Sequence, residues 1–118
     1  MNIFKVMQYA ANCEANWREF VMGNGYTPMT TFFNDLSVAE CFGKKGINDT
    51  YKNVIKSWGK NIKYITEFCM CLNHKIWQLY ENNEDVAREY DKLWRKCCQH
   101  IEDNFSGEDL QYYYRVTD

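Results

Sequence analysis

Proline, serine and histidine are scarce in this chain, and those scarcities narrow its chemistry before any pattern is read. The 118 residues include one proline (Pro28), three serines (Ser37, Ser57 and Ser106) and two histidines (His74 and His100), a thin stock for nucleophilic or general-base catalysis. No apolar run approaches the roughly 20 residues needed to span a bilayer. The start of the chain, Met1 to Phe20, is broken by Lys5, Asn12, Glu14, Asn16 and Arg18, where a signal peptide would carry an uninterrupted apolar block. A Gly-rich phosphate loop, G-x-S-x-G, H-E-x-x-H and paired C-x-x-C steps are all missing, and Gly43 and Gly46 around Lys44 and Lys45 make too short a turn to cradle phosphate. A net charge of -2 removes the bulk electrostatic case for nucleic-acid binding. These absences together lead us to expect a cytoplasmic, non-enzymatic protein with no cofactor, no metal and no membrane span.

What the chain does hold is core material. Hydrophobic residues make up 46% of it and aromatics 17%, enough for one core, and no linker or repeat divides it, so residues 1–118 read as a single helical domain. Six cysteines (Cys13, Cys41, Cys69, Cys71, Cys97 and Cys98) fall mostly within helical patterns in a chain without an export signal, which points to reduced thiols.

Apolar spacing supplies the architecture. Ile3, Val6, Ala10, Cys13, Trp17 and Phe20 form one helical stripe that Gly23 and Gly25 end, and the stretch around Pro28 reads as a connector. Thr31 to Phe42 suits a helix, or a turn into a short helix with Ser37 and Glu40 as a capping box, bounded by Gly43 and Gly46. From near Asp49 or Thr50, the series Ile55, Trp58, Ile62, Ile65, Cys69, Leu72, Ile76 and Leu79 alternates steps of three and four. Unbroken, that rhythm predicts one helix of roughly 30 residues and about 45 Å. Asn82 and Asn83 turn the chain, Asn83 caps the next helix, and Val86, Tyr90, Leu93, Cys97 and Ile101 return along the first stripe. Folding about the turn pairs Leu79 with Val86, Ile76 with Tyr90, Leu72 with Leu93, Cys69 with Cys97, and Ile65 with Ile101. A short terminal helix follows Ser106. The expected fold is therefore all-α, a small helical bundle built on a long antiparallel hairpin whose spine protrudes or supports a partner.

Charge is distributed unevenly. Residues 44–63 contain six lysines against one acid, Asp49, whereas residues 81–118 contain ten acids against five bases. Lys52, Lys56, Lys60 and Lys63, with Tyr64 beside them, form an outward stripe that is the candidate interaction surface for phosphate or an acidic partner. The lack of any arginine between Arg18 and Arg88 weakens base reading.

Three constellations bear on chemistry. Glu67, Cys71 and His74 share one helical flank, opposite the hairpin seam, and are expected to be a solvent or partner-facing surface rather than a metal or thiol site. Two C-x-x-H steps, Cys71 with His74 and Cys97 with His100, suggest zinc, but inward Cys97 and outward Cys71 oppose a shared tetrahedron. Cys69 and Cys97 share a predicted layer, where buried cysteine acts as a small hydrophobe. Met70 and Trp77 flank the seam and are expected to pack in the core.

Several phrases are also familiar: Thr31-Phe32-Phe33, S-V-A-E-C-F-G at 37–43, Asp49-Thr50-Tyr51, L-N-H-K-I-W at 72–77, and the ending from Tyr114 to Asp118. The chain resembles, from residue 30 onward, a group of small uncharacterised proteins carried by phages and other mobile elements of gut bacteria. That resemblance implies a bacterial or phage cytoplasmic context and a host or phage protein as partner, and it transfers no activity. The leading expectation is a protein-binding accessory protein. A nucleic-acid-associated factor using the lysine stripe and a metal or thiol enzyme at Glu67, Cys71 and His74 are its alternatives. The aromatic surplus also suits homodimerisation.

Overall fold

Proline lacks an N–H, which is no loss in a first helical turn, and Pro28 opens the first helix described by the computed structural model, which covers residues 28–117. The stripe expected over residues 1–20 and its stop at Gly23 and Gly25 lie outside the described residues. Five helices follow one another: α1 (Pro28–Glu40), α2 (Gly43–Trp58), α3 (Ile62–Leu79), α4 (Glu84–Asn104) and α5 (Gly107–Thr117). The all-α fold is as expected.

The turn from α1 to α2 depends on two glycines. Gly43 has φ +71°, a left-handed conformation that disfavours a side chain. Gly46 lies inside α2, where a Cβ would come within 2.5 Å of the Ala39 carbonyl oxygen and 2.7 Å of the Phe42 Cβ. It therefore does not bound a helix. It lets α2, which begins six residues before the expected start at Asp49, press against the end of α1.

The rhythm from Ile55 to Leu79 does not form one rod. Gly59, Lys60 and Asn61 interrupt it, because Asn61 caps a new helix by accepting a hydrogen bond from the Tyr64 N–H at 3.1 Å. His100 of α4 closes the corner, with Nε2 2.8 Å from the Gly59 carbonyl oxygen. A carbonyl can only accept, so Nε2 carries the proton. The spine is thus α3, 18 residues long, and no rod protrudes from a molecule with a radius of gyration of 13.5 Å and extents of 37 × 32 × 29 Å.

The hairpin itself forms between α3 and α4. Asn83 caps α4 as expected, its side chain accepting from the Val86 N–H at 3.3 Å. Ile65, Cys69, Leu72 and Ile76 from α3 are buried with Tyr90, Leu93, Cys97 and Ile101 from α4, while Leu79 and Val86 close the layer near the turn half-buried. One pairing differs in detail: the sulfur within 3.6 Å of Cys69 Sγ is Cys98, and Cys97 directs its thiol toward the Ile65 carbonyl. α5 then lies against α3, burying Tyr113. Because α1, α4 and α5 all pack on α3, Phe68, Met70 and Cys71, which lie off the hairpin stripe, are buried as well. Trp77 is half-buried and stacks on Tyr80.

Candidate functional site

Two neighbouring features stand out on the described surface, an apolar groove and a lysine-rich corner. The groove lies between α1 and α2 and arises from the pattern of α1. Phe32, Leu36 and Ala39 face the core at steps of four and three, which leaves Val38 and Phe42 on the outer flank. Val38 is 61% exposed and Phe42 74% exposed, and across from them Trp58, the last residue of α2, is 40% exposed. With Phe32, Ala39 and Val54 as a buried floor, these side chains enclose about 470 Å³, and Asp35 is the one charged residue lining the cavity. Its outer wall is the solvent face of α2.

Along that wall and around the corner stand the lysines. Lys52 and Lys56 project from α2, Lys60 from the turn and Lys63 from the first turn of α3, all exposed, with half-buried Tyr64 stacked edge-on against Trp58 at 4.7 Å. The stripe expected on a straight helix is therefore bent at Gly59. None of these four lysines, nor Lys45, makes an ion pair among the described residues. The acidic second half of the chain compensates a different lysine: Lys44 meets Asp85 at 3.3 Å, and Asn48 donates to Glu89 at 2.8 Å.

A buried polar network holds α1 in place beneath the groove. Lys75, whose side chain is 4% exposed, donates to Ser37 Oγ at 2.8 Å and pairs with Glu40 Oε1 at 2.9 Å. The Tyr90 hydroxyl donates to the same Glu40 oxygen at 2.8 Å. Ser37 and Glu40 thus do not form a capping box. Both sit inside α1 and receive an ammonium from α3 and a phenol from α4. Burial first, then the Glu40 carboxylate, raises the Tyr90 pKa and keeps the phenol protonated. The Ser37–Lys75 contact resembles a nucleophile and base, but an ammonium bound to a carboxylate has no lone pair with which to take a proton.

The outward cluster expected at Glu67, Cys71 and His74 is turned inward. Glu67 is 5% exposed, Cys71 is fully buried, and His74 is half-buried with its ring edge-on to Phe33 at 5.1 Å. Burial raises the Glu67 pKa, and Lys63 one turn earlier opposes the rise. Glu67 Oε2 has no hydrogen-bond partner among the described residues, and the carboxyl's charge helps raise the pKa of Tyr112 on α5. The two C-x-x-H steps are separated, with His100 at the α2–α3 corner and Cys97 in the hairpin seam. Among the described residues no three His, Cys, Asp or Glu side chains are grouped to hold a metal, and no helix is long and apolar enough to cross a membrane.

The second sulfur site is the Cys69–Cys98 pair. The Tyr113 hydroxyl hydrogen-bonds to Cys98, yet the shared hydrogen bond with Cys69, followed by burial, pushes the Cys98 thiol far up, so it stays protonated. Such a thiol is a poor nucleophile.

Of the site residues read from sequence, Lys52, Lys56, Lys60, Lys63 and Tyr64 remain at the surface, and the groove beside them was missed. The available signal was the pair Val38 and Phe42, spaced by four and out of phase with Phe32, Leu36 and Ala39. Comparison with family models, curated proteins and solved structures finds no match for this chain.

Proposed function

We propose that this is a non-enzymatic binding protein that seats a segment of another protein in the groove between α1 and α2, in the phage or mobile-element context implied by its resemblance. The observation that carries the proposal is the gathering of Val38, Phe42 and Trp58 around one cavity, although apolar side chains of this size are ordinarily withdrawn from water. Unpaired lysines beside the cavity favour a partner with carboxylates over a neutral one. Site-specific photo-crosslinking tests the reading. With Phe42→benzoylphenylalanine, adducts from a bacterial lysate should concentrate in one segment of one protein, while a crosslinker replacing Lys92 on α4 should yield none of them. Identical adduct patterns from both positions would reject the groove.

The nucleic-acid alternative has its own support in the exposed lysines around the Trp58–Tyr64 pair. It leaves Val38 and Phe42 without a role. A salt-dependent mobility shift lost on replacing Lys52, Lys56, Lys60 and Lys63 by Glu would favour it.

A further inference from the structure

From the geometry of the groove and the charges along its wall, we infer the chemistry of the occupant: an amphipathic helix of about three turns whose acidic flank lies along α2. The inference rests on the groove reading above and goes beyond it in naming what fills the groove and in excluding a second copy of the chain.

Length comes first. The cavity-lining residues of α2 run from Gly46 to Trp58. At about 1.5 Å per residue that is roughly 18 Å of wall, the length of three helical turns. The floor is apolar and flanked by two helices, the setting in which a third helix buries side chains spaced i, i+3 or i+4, and i+7. An extended strand is disfavoured because the walls are helices with their backbone hydrogen bonds already made, so they offer no edge to pair with.

Charge decides the rest. Lys45, Lys52 and Lys56 stand exposed on the solvent side of α2, continued by Lys60, and Asp49 is the single acid among them. On the opposite wall, α1 contributes Asp35. A helix lying between would gain from carboxylates on its α2 side and from neutral or basic residues near α1. A second copy seated groove against groove would bring two lysine-lined walls together, and like charges across an interface oppose docking. The charge that selects an acidic partner thus disfavours homodimerisation through this face.

The test is selection from a displayed library of random 16-residue segments on the full-length protein, followed by titration of the best binder. Enriched sequences should combine apolar residues at i, i+3 or i+4 and i+7 with an excess of Asp and Glu, and should turn helical on binding. Phe42→Ser should weaken the selected peptide at least tenfold. Charge reversal with Lys52→Glu and Lys56→Glu should weaken it about tenfold at low salt, since each exposed pair contributes up to about fivefold, and the loss should shrink at high salt. Circular dichroism and thermal melts on each variant separate lost binding from lost folding. Enrichment of neutral or basic sequences, all sensitive to Phe42→Ser, would overturn the acidic-helix inference and leave the groove reading standing. Binding that ignores Phe42→Ser would overturn both. So would single-stranded DNA competing for the same lysines, or a concentration-dependent dimer abolished by Phe42→Ser.

Discussion

Replacing Glu40 by alanine should be among the most damaging single changes available near the groove. In the native protein the Lys75 ammonium, 4% exposed, has two partners, Glu40 at 2.9 Å and Ser37 at 2.8 Å. Without the carboxylate, a desolvated charge keeps only a hydroxyl, and stranding one member of a buried pair costs about 3–5 kcal/mol. The Tyr90 hydroxyl also loses its shorter bond and keeps the Leu36 carbonyl at 3.3 Å. Against a total stability of about 5–15 kcal/mol such a loss is severe. At about 4 °C per kcal/mol it lowers the melting temperature by roughly 12–20 °C. The opposite change, Lys75→Met, should cost less, because the remaining Glu40 side chain is 23% exposed and retains Tyr90 as a donor. The double variant should recover part of the loss, since removing both charges leaves no uncompensated ion. Lys44→Ala, at an exposed pair, serves as the control and should cost no more than about 1 kcal/mol. Urea and thermal unfolding followed by circular dichroism measure all four. If Glu40→Ala behaves like Lys44→Ala, or if the double variant costs the sum of the singles, the network does not hold α1 in place.

Glu67 yields a pH prediction. Its pKa is raised in the folded protein mainly by burial, so between the unfolded carboxyl value and the raised one the native state binds more protons than the unfolded state. The stability contributed by protonated Glu67 is fully present below the unfolded value and is lost as pH climbs through the folded one; Glu67→Gln should remove that dependence in denaturant titrations from pH 4 to pH 8 and raise stability at neutral pH. At Gly46, alanine meets the Ala39 carbonyl at 2.5 Å, a backbone atom that cannot swing aside, so Gly46→Ala should cost about 1–3 kcal/mol and reshape the groove; unchanged stability together with unchanged binding of the selected peptide would contradict that packing. Among the thiols, exposed Cys41 should react promptly with a maleimide, while Cys98 should lag until the protein is unfolded. Peptide mapping by mass spectrometry distinguishes the two, and equal rates would show that the Cys69 and Tyr113 contacts do not restrain Cys98.

Residue order alone determined the elements whose signals are local. Alternation by three and four selected Ile65, Cys69, Leu72 and Ile76 as one inner face and Tyr90, Leu93, Cys97 and Ile101 as the other, because that spacing repeats on any α-helix. Asn83, followed by Glu84 and Asp85, marked a helix start for equally local reasons, a side-chain acceptor for an orphan N–H and acids beside the positive helix end.

Tertiary structure decided what local spacing cannot express. The rhythm passes through Gly59 without a slip, so only the capping of α3 by Asn61 and the His100 bond to the Gly59 carbonyl reveal the corner that bends the lysine stripe. Periodicity likewise marks a buried face without saying how many neighbours a helix has. α3 is packed by α1, α4 and α5, and so Glu67 and Cys71, opposite the seam, are inside. Phe68, Met70 and Cys71, apolar yet out of phase with the stripe, were the available hint. Ser37 and Glu40 have the spacing of a capping box, and nothing nearby in the chain indicates that Lys75, 38 residues from Ser37, takes them both. The groove was equally hidden: Val38 and Phe42 could be seen to lie off the core face of α1, but whether a neighbour covered them depended on where α2 came to rest, a matter of packing between helices.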